Sequence, residues 1–199
     1  DLAVKDVVYS AFGHAGQKCS AGSTVILVGS VAQSERFRRQ LIDSVSSLHV
    51  AHPQDIESQM GPVVQKPEEK LLRGLTTLGP GERWLIQPKE LDETGRLWSP
   101  GVREGVKPGS EYHMTEYFGP ILGIMTADTL EEAIELQNAP DYGLTAGLHS
   151  LDADELELWL SKVQAGNLYV NRAITGAIVQ RQPFGGWKKS TVGSGTKAG

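Results

Sequence analysis

The chain has 199 residues, 39% hydrophobic and 22% charged, which is enough for one substantial core and the balance of an ordinary globular domain. A net charge of -5, from 19 basic and 24 acidic residues, excludes the clustered cationic surface of a nucleic-acid binder and points to small molecules or protein as partners. One cysteine excludes an internal disulfide and a cysteine-rich zinc site, and no apolar run is long enough for a membrane span, so a reducing, cytoplasmic setting is expected.

The chain opens at Asp1 without a methionine or a signal-peptide pattern and stops in a glycine-rich stretch, which predicts a piece of something longer. Residues 2 to 12 place Leu2, Val4, Val7, Val8, Ala11 and Phe12 at helical spacing, and Gly13 and Gly16 then break the pattern. The β-branched run from Thr24 to Val28 reads as a buried strand. Ser34 is expected to cap a helix that turns Phe37, Leu41, Ile42 and Val45 inward. Pro67 suits the first turn of a helix over 68 to 78, followed by strands at 82 to 87, 97 to 103 and 121 to 126. Thr129 with Glu132, and Asp152 with Glu155, are capping-box pairs for helices through Leu136 and Val163, with strands at 145 to 150 and 167 to 171.

Strands alternating with helices of this length imply an α/β fold with a mainly parallel sheet and flanking helices, in one domain over residues 1 to 199. A boundary at Gly79-Pro80-Gly81 is the weaker division. In such sheets ligands are expected where loops leave the carboxyl ends of strands.

Three blocks carry chemistry. Gly16-Gln17-Lys18-Cys19-Ser20-Ala21 sets the one cysteine in a small, polar segment just past a helix. Taken alone such a cysteine reads as a packed core residue, but a thiol in a polar, lysine-flanked setting is also a candidate nucleophile. Glu116-Tyr117-Phe118-Gly119-Pro120 combines a carboxylate, aromatic rings and a proline-fixed turn before a strand. Alone it is loop punctuation, yet a carboxylate can accept hydrogen bonds from both hydroxyls of a ribose while a ring packs on a flat heterocycle. Gln182-Pro183-Phe184-Gly185-Gly186 is the third, at the end of a longer block that starts at Thr175.

In this order and at these separations the three blocks resemble the aldehyde dehydrogenase superfamily, and the stretch from Thr175 to Gly186 is similar to the 1-pyrroline-5-carboxylate dehydrogenases, including the dehydrogenase module of bifunctional proline utilization A proteins. The resemblance implies Cys19 as the nucleophile, Glu116 on the nicotinamide ribose and Phe118 beside the nicotinamide of NAD, with NADP an alternative. It also implies backbone amides at Gly176 and Ala177 for a substrate carboxylate, with help from Ser20, and Phe184 against the substrate's aliphatic part. Where this sequence has Ala177 the group commonly has serine, so one side-chain contact to that carboxylate is missing.

The implied reaction is oxidation of glutamate γ-semialdehyde, a small-molecule aldehyde, to glutamate in proline catabolism, through a thiohemiacetal and a thioester on Cys19. The fold implied is the catalytic domain of that superfamily. The asparagine that completes the oxyanion hole and the glutamate that activates water precede the cysteine in family members and have no counterpart in the eighteen residues before Cys19. The chain is therefore expected to need an upstream cofactor-binding domain for turnover, in a homo-oligomeric parent that can also carry a proline dehydrogenase domain. Three other readings stay open: a different semialdehyde dehydrogenase, a thiol esterase independent of NAD, and a non-catalytic docking or oligomerisation module.

Two further patterns are given little weight. Gly193-x-Gly195-x-x-Ala198 imitates a dinucleotide fingerprint without the strand and helix it requires. His49-x-x-His52 has the spacing of a metal pair but reads as a solvated loop.

Overall fold

The computed structural model describes residues 1–178 and 180–193. Helix α1 (Leu2–Phe12) buries Val4, Val8, Ala11 and Phe12, as its helical spacing requires, and stops at Gly13. Strand β1 (Thr24–Val28) follows, then α2 (Glu35–Ser46), whose N-cap Ser34 accepts a hydrogen bond from the Phe37 amide. After α3 (Glu69–Thr76) come β2 (Arg83–Ile86), β3 (Gly101–Glu104), the single turn α4 (Glu111–Met114) and β4 (Ile121–Ala127). The remainder is α5 (Leu130–Asn138), β5 (Tyr142–Gly143), β6 (Thr145–Leu148), α6 (Ala153–Lys162), β7 (Asn167–Val170) and β8 (Trp187–Lys188).

Four strands form one sheet in the order β1-β4-β3-β2, with β1, β4 and β3 parallel and β2 antiparallel at the edge. β6 and β7 form a separate parallel pair, and β5 pairs antiparallel with β8. β4 is central and buried at all but one position, which matches its unbroken apolar run. The main core joins Phe12, Leu41, Val45, Val102, Leu122 and Met125, and a smaller one gathers Leu130, Ile134 and Val163 around Trp159.

The α/β architecture with its mostly parallel sheet agrees with the sequence expectation. Three details differ. Pro67 lies two residues before α3 rather than in its first turn, because Glu68 is the extended N-cap. The strand expected over 97 to 103 begins only at Gly101, since Trp98 instead makes an isolated bridge with Glu90. Each capping box is half formed: Thr129 accepts from the Glu132 amide, but the Glu132 carboxylate reaches the Asp128 amide at 2.7 Å. Asp152 caps α6, while Glu155 turns to the Ser150 hydroxyl. Leu75 and Val102, on either side of Gly79-Pro80-Gly81, share the main core.

Candidate active site

The cysteine loop is built by an abrupt reversal at the end of α1. His14, Ala15 and Gly16 all take left-handed backbone conformations, with φ of 54°, 54° and 67°. For the two non-glycine residues that costs on the order of 1 kcal/mol each. The chain then makes a tight turn closed by the Ala21 amide on the Lys18 carbonyl at 3.0 Å, with Cys19 exposed at its second position. The Gly22 amide donates to the Ser10 carbonyl at 2.9 Å and returns the loop to α1.

The Glu116 block comes to the same place. Gly16 lies so close to Gly119 that a Cβ on Gly16 would stand 2.1 Å from the Gly119 carbonyl oxygen. Gln17 bridges outward from the turn: its Nε2 donates to the Phe118 carbonyl at 3.1 Å, and its Oε1 accepts from the Val64 amide at 2.8 Å. Phe118 presents that carbonyl from a left-handed backbone, φ 58°. Together Gly16, Lys18, Glu116, Phe118 and Gly119, backed by Tyr112, line a shallow, solvent-open cleft.

This cleft lies at the amino edge of the sheet, not at the carboxyl edge expected from the sequence. The physical reason is the pairing of β1 with β4. Thr24 stands opposite Gly123, so the loops that lead into these two parallel strands must be neighbours.

The third block stands on the β6–β7 pair. The loop after β7 is pinned to α1 by the Ile174 amide on Ser10 Oγ at 3.0 Å, and Thr175 is buried beside it. Gly176 has φ 88° with open space around it, and the amides of Gly176 and Ala177 have no protein acceptor among the described residues. Val179 lies outside the described residues, as do Gly195 and Ala198 of the glycine pattern. Phe184 is half-buried, and the Gly185 carbonyl accepts from Asn167 Nδ2 at 2.7 Å. Gly176, Ala177 and Phe184 do not line the cleft that holds Glu116 and Phe118. The start of their loop nears the chain just after the cysteine turn, with Ile174 Cδ1 3.7 Å from where a Cβ on Gly22 would stand. On the turn itself Thr145 Oγ1 donates to the Ser20 carbonyl at 3.3 Å. Ser20 itself is 6% exposed and lies beneath the turn rather than on its open face.

The Glu116 carboxylate is exposed and has no protein partner among the described residues, as an acceptor for ligand hydroxyls requires. Burial pushes the Tyr112 and Tyr117 hydroxyls above the ordinary phenol range behind it, so both serve as neutral rings. His49 pairs with Asp55 at 2.7 Å and His52 with Asp92 at 2.6 Å, so each histidine is a loop clasp. No group of three or more acidic, histidine or cysteine side chains suited to a metal occurs among the described residues. Sequence reasoning missed Ser10, Gln17 as the bridge, and Thr145. A serine on the inward face of α1 was the one available signal for Ser10.

The family model described as "Aldehyde dehydrogenase family" matches residues 1–199. A 1-pyrroline-5-carboxylate dehydrogenase of Bacillus subtilis is 34% identical over 200 residues, covering 100% of this chain and 38% of that protein. The solved structure of proline utilization A from Corynebacterium freiburgense is 60% identical, with a TM-score of 0.95 over 99% of this chain and 20% of that one. A 1-pyrroline-5-carboxylate dehydrogenase from Thermus, solved with bound NAD, is 35% identical with a TM-score of 0.86, covering 98% of this chain and 37% of the other. The chain thus spans well under half the length of these relatives. Among the described residues no helix is long and apolar enough to cross a membrane.

Proposed function

Because the chain belongs to the aldehyde dehydrogenase family, we propose that it is the cysteine-bearing catalytic domain of an NAD-dependent enzyme that oxidises glutamate γ-semialdehyde, in equilibrium with 1-pyrroline-5-carboxylate, to glutamate. The observation that carries the reading is the Gln17 side chain, which joins the exposed cysteine turn to the loop of Glu116 and Phe118 around one cleft. The substrate class draws on the Bacillus subtilis relative, and the preference for NAD over NADP on the Thermus relative. The segment that precedes these residues in the longer relatives supplies the rest of the cofactor-binding domain. The 20% share of the Corynebacterium freiburgense chain supports a multidomain parent, with a proline dehydrogenase domain, homo-oligomeric assembly and a cytoplasmic location as parts of the same reading.

The residues present suit that chemistry. Glu116 offers both carboxylate oxygens to the ribose hydroxyls, and the 40%-exposed ring of Phe118 offers a face to the nicotinamide. Cys19 Sγ, as the thiolate, adds to the aldehyde carbon, and the carbonyl π electrons move to oxygen. The Cys19 amide, unengaged within the protein among the described residues, is one donor for that oxyanion. Bound NAD supplies the hydride acceptor. Cys19 is then left acylated as a thioester, and water releases the acid and the free thiol. The unengaged amides of Gly176 and Ala177 form the anion site for the substrate's α-carboxylate.

The test is NAD reduction with glutamate γ-semialdehyde by these 199 residues joined to the segment that precedes them in the relatives. Wild type should form NADH and Cys19→Ala should not, while both bind NAD. Equal rates in the two proteins would refute the nucleophile, and absence of NAD binding would leave a non-catalytic module. The 199 residues alone should form NADH at no more than background rate.

A further inference from the structure

Arg103 lies in β3 with its side chain 2% exposed, a position where its neighbour Val102 is wholly buried and an aliphatic residue is the ordinary choice. An arginine cannot shed its charge to enter a core, so a guanidinium there must be held from several sides. Its Nη1 donates to Glu82 Oε2 at 2.7 Å, and Glu82 is as deeply buried. Its Nη2 donates to the Gly74 carbonyl. Three rings surround the plane: Tyr112 at 4.3 Å, Trp84 at 4.8 Å and Tyr117 at 5.9 Å from the guanidinium carbon. Nε has no partner among the described residues, which leaves one buried donor as a cost of the arrangement.

The contacts converge on one loop. Tyr117 separates Glu116 from Phe118, and it stacks on Tyr112 with ring centroids 5.1 Å apart and planes 23° apart. A Cβ on Gly74 would stand 2.5 Å from the Tyr117 ring, so the glycine that makes room for Tyr117 is the residue whose carbonyl Arg103 holds. Tyr112 continues to the cysteine side through its hydroxyl, which donates to the Ser23 carbonyl at 3.1 Å.

We propose that Arg103 is a positioning residue for the dinucleotide half of the site: clamped by Glu82 and Gly74, its guanidinium is the platform on which Tyr112 and Tyr117 are fixed, and through Tyr117 it sets Glu116 and Phe118 against the cysteine turn. The inference rests on the reading of Glu116 and Phe118 as the residues that meet the nicotinamide riboside. Lysine at this position keeps a charge for Glu82 but loses the flat face and the reach to Gly74.

The experiment compares wild type with Arg103→Lys in the chain joined to its preceding segment, by steady-state kinetics and amide hydrogen exchange. The variant should raise KM for NAD about tenfold with KM for the aldehyde unchanged, and speed exchange across residues 111–121 while α2 and α6 stay as protected as before. KM for NAD within twofold of wild type overturns the proposal, and so does faster exchange spread evenly over the chain. If wild type reduces no NAD, the proposed function has failed, and the exchange pattern alone decides the role of Arg103. If Arg103→Lys does not fold, the balanced variant Arg103→Met with Glu82→Gln is read in the same way; failure of both to fold makes Arg103 a stability residue and overturns the proposal.

Discussion

Gln17 Nε2 donates to the Phe118 carbonyl oxygen at 3.1 Å, across 101 residues of chain. With the Val64 amide on its other end at 2.8 Å, this one side chain spans three loops. Gln17→Glu keeps the acceptor for Val64 and loses the donor for Phe118, so a single contact is removed without a cavity. A net hydrogen bond is worth about 1 kcal/mol, and a lost one with an oxygen set against an oxygen somewhat more. KM for NAD should therefore rise roughly tenfold in Gln17→Glu and more in Gln17→Ala, and in Gln17→Ala, which adds no charge beside the thiol, Cys19 should alkylate at the wild-type rate. An unchanged KM for NAD in both variants would show that the bridge does not set the cleft.

Gly16→Ala is a stronger probe of the same junction. The added Cβ meets the Gly119 carbonyl at 2.1 Å, and the backbone at φ 67° is already unfavourable for alanine. Overpacking and left-handed strain each cost about 1–3 kcal/mol, so the thermal midpoint should fall by several degrees. The two loops must also separate, and NAD-dependent activity should drop further than the stability loss accounts for. A variant with a lower midpoint but normal kinetics would place the close approach outside the working site.

Much of this arrangement was legible in the amino-acid sequence. The short-range signals did best: Ser34, Thr129 and Asp152 all cap the helices they precede, because capping depends on residues within one turn. Cys19, Glu116 and Phe118 could be singled out by residue type and order, but their meeting at the amino edge depends on β1 pairing with β4, a partner 99 positions away at Thr24–Gly123. The role of Gln17 was hidden for the same reason, since both of its partners are backbone groups, which carry no residue-type signal. β5 and β8, two residues each, are too short for any periodicity to register.

The His49–Asp55 clasp makes a pH-dependent loop away from the cleft. Hydrogen bonding to Asp55 raises His49 above its usual 6.5, and hydrogen bonding to His49 lowers Asp55 below its usual 3.8. A raised histidine contributes stability below 6.5 that is lost as pH climbs through its folded value, and a lowered aspartate contributes above 3.8 what is lost as pH falls through its own. The clasp is therefore whole between those two ordinary values and opens on either side. Amide exchange of Gln59 and Met60, both bonded to the His49 carbonyl, should be slowest in that window and faster at pH 8 than at pH 6 after correction for the intrinsic rate. His49→Gln should abolish the pH dependence, and the same profile in that variant would assign it elsewhere.

Asn167 offers the opposite signature to Gln17. From a site only 5% exposed, its Nδ2 donates to the Leu144 carbonyl at 2.8 Å and to the Gly185 carbonyl at 2.7 Å, which fastens the Phe184 block to the start of β7. Leu144 keeps the Asn167 amide at 2.9 Å if the side chain is lost, but Gly185 has no other donor among the described residues. Asn167→Ala should therefore cost about 1 kcal/mol, the loss of one hydrogen bond to a half-buried acceptor. The kinetic effect should fall on the aldehyde side, because Phe184 is outside the lining of the Glu116 and Phe118 cleft and the proposed reaction sets it against the substrate's aliphatic part. KM for the semialdehyde should rise severalfold at constant KM for NAD, as measured in initial-rate experiments with each substrate varied in turn. A rise in KM for NAD of the same size would mean that the cofactor and aldehyde sides are not independent, and would remove Phe184 from its place on the substrate.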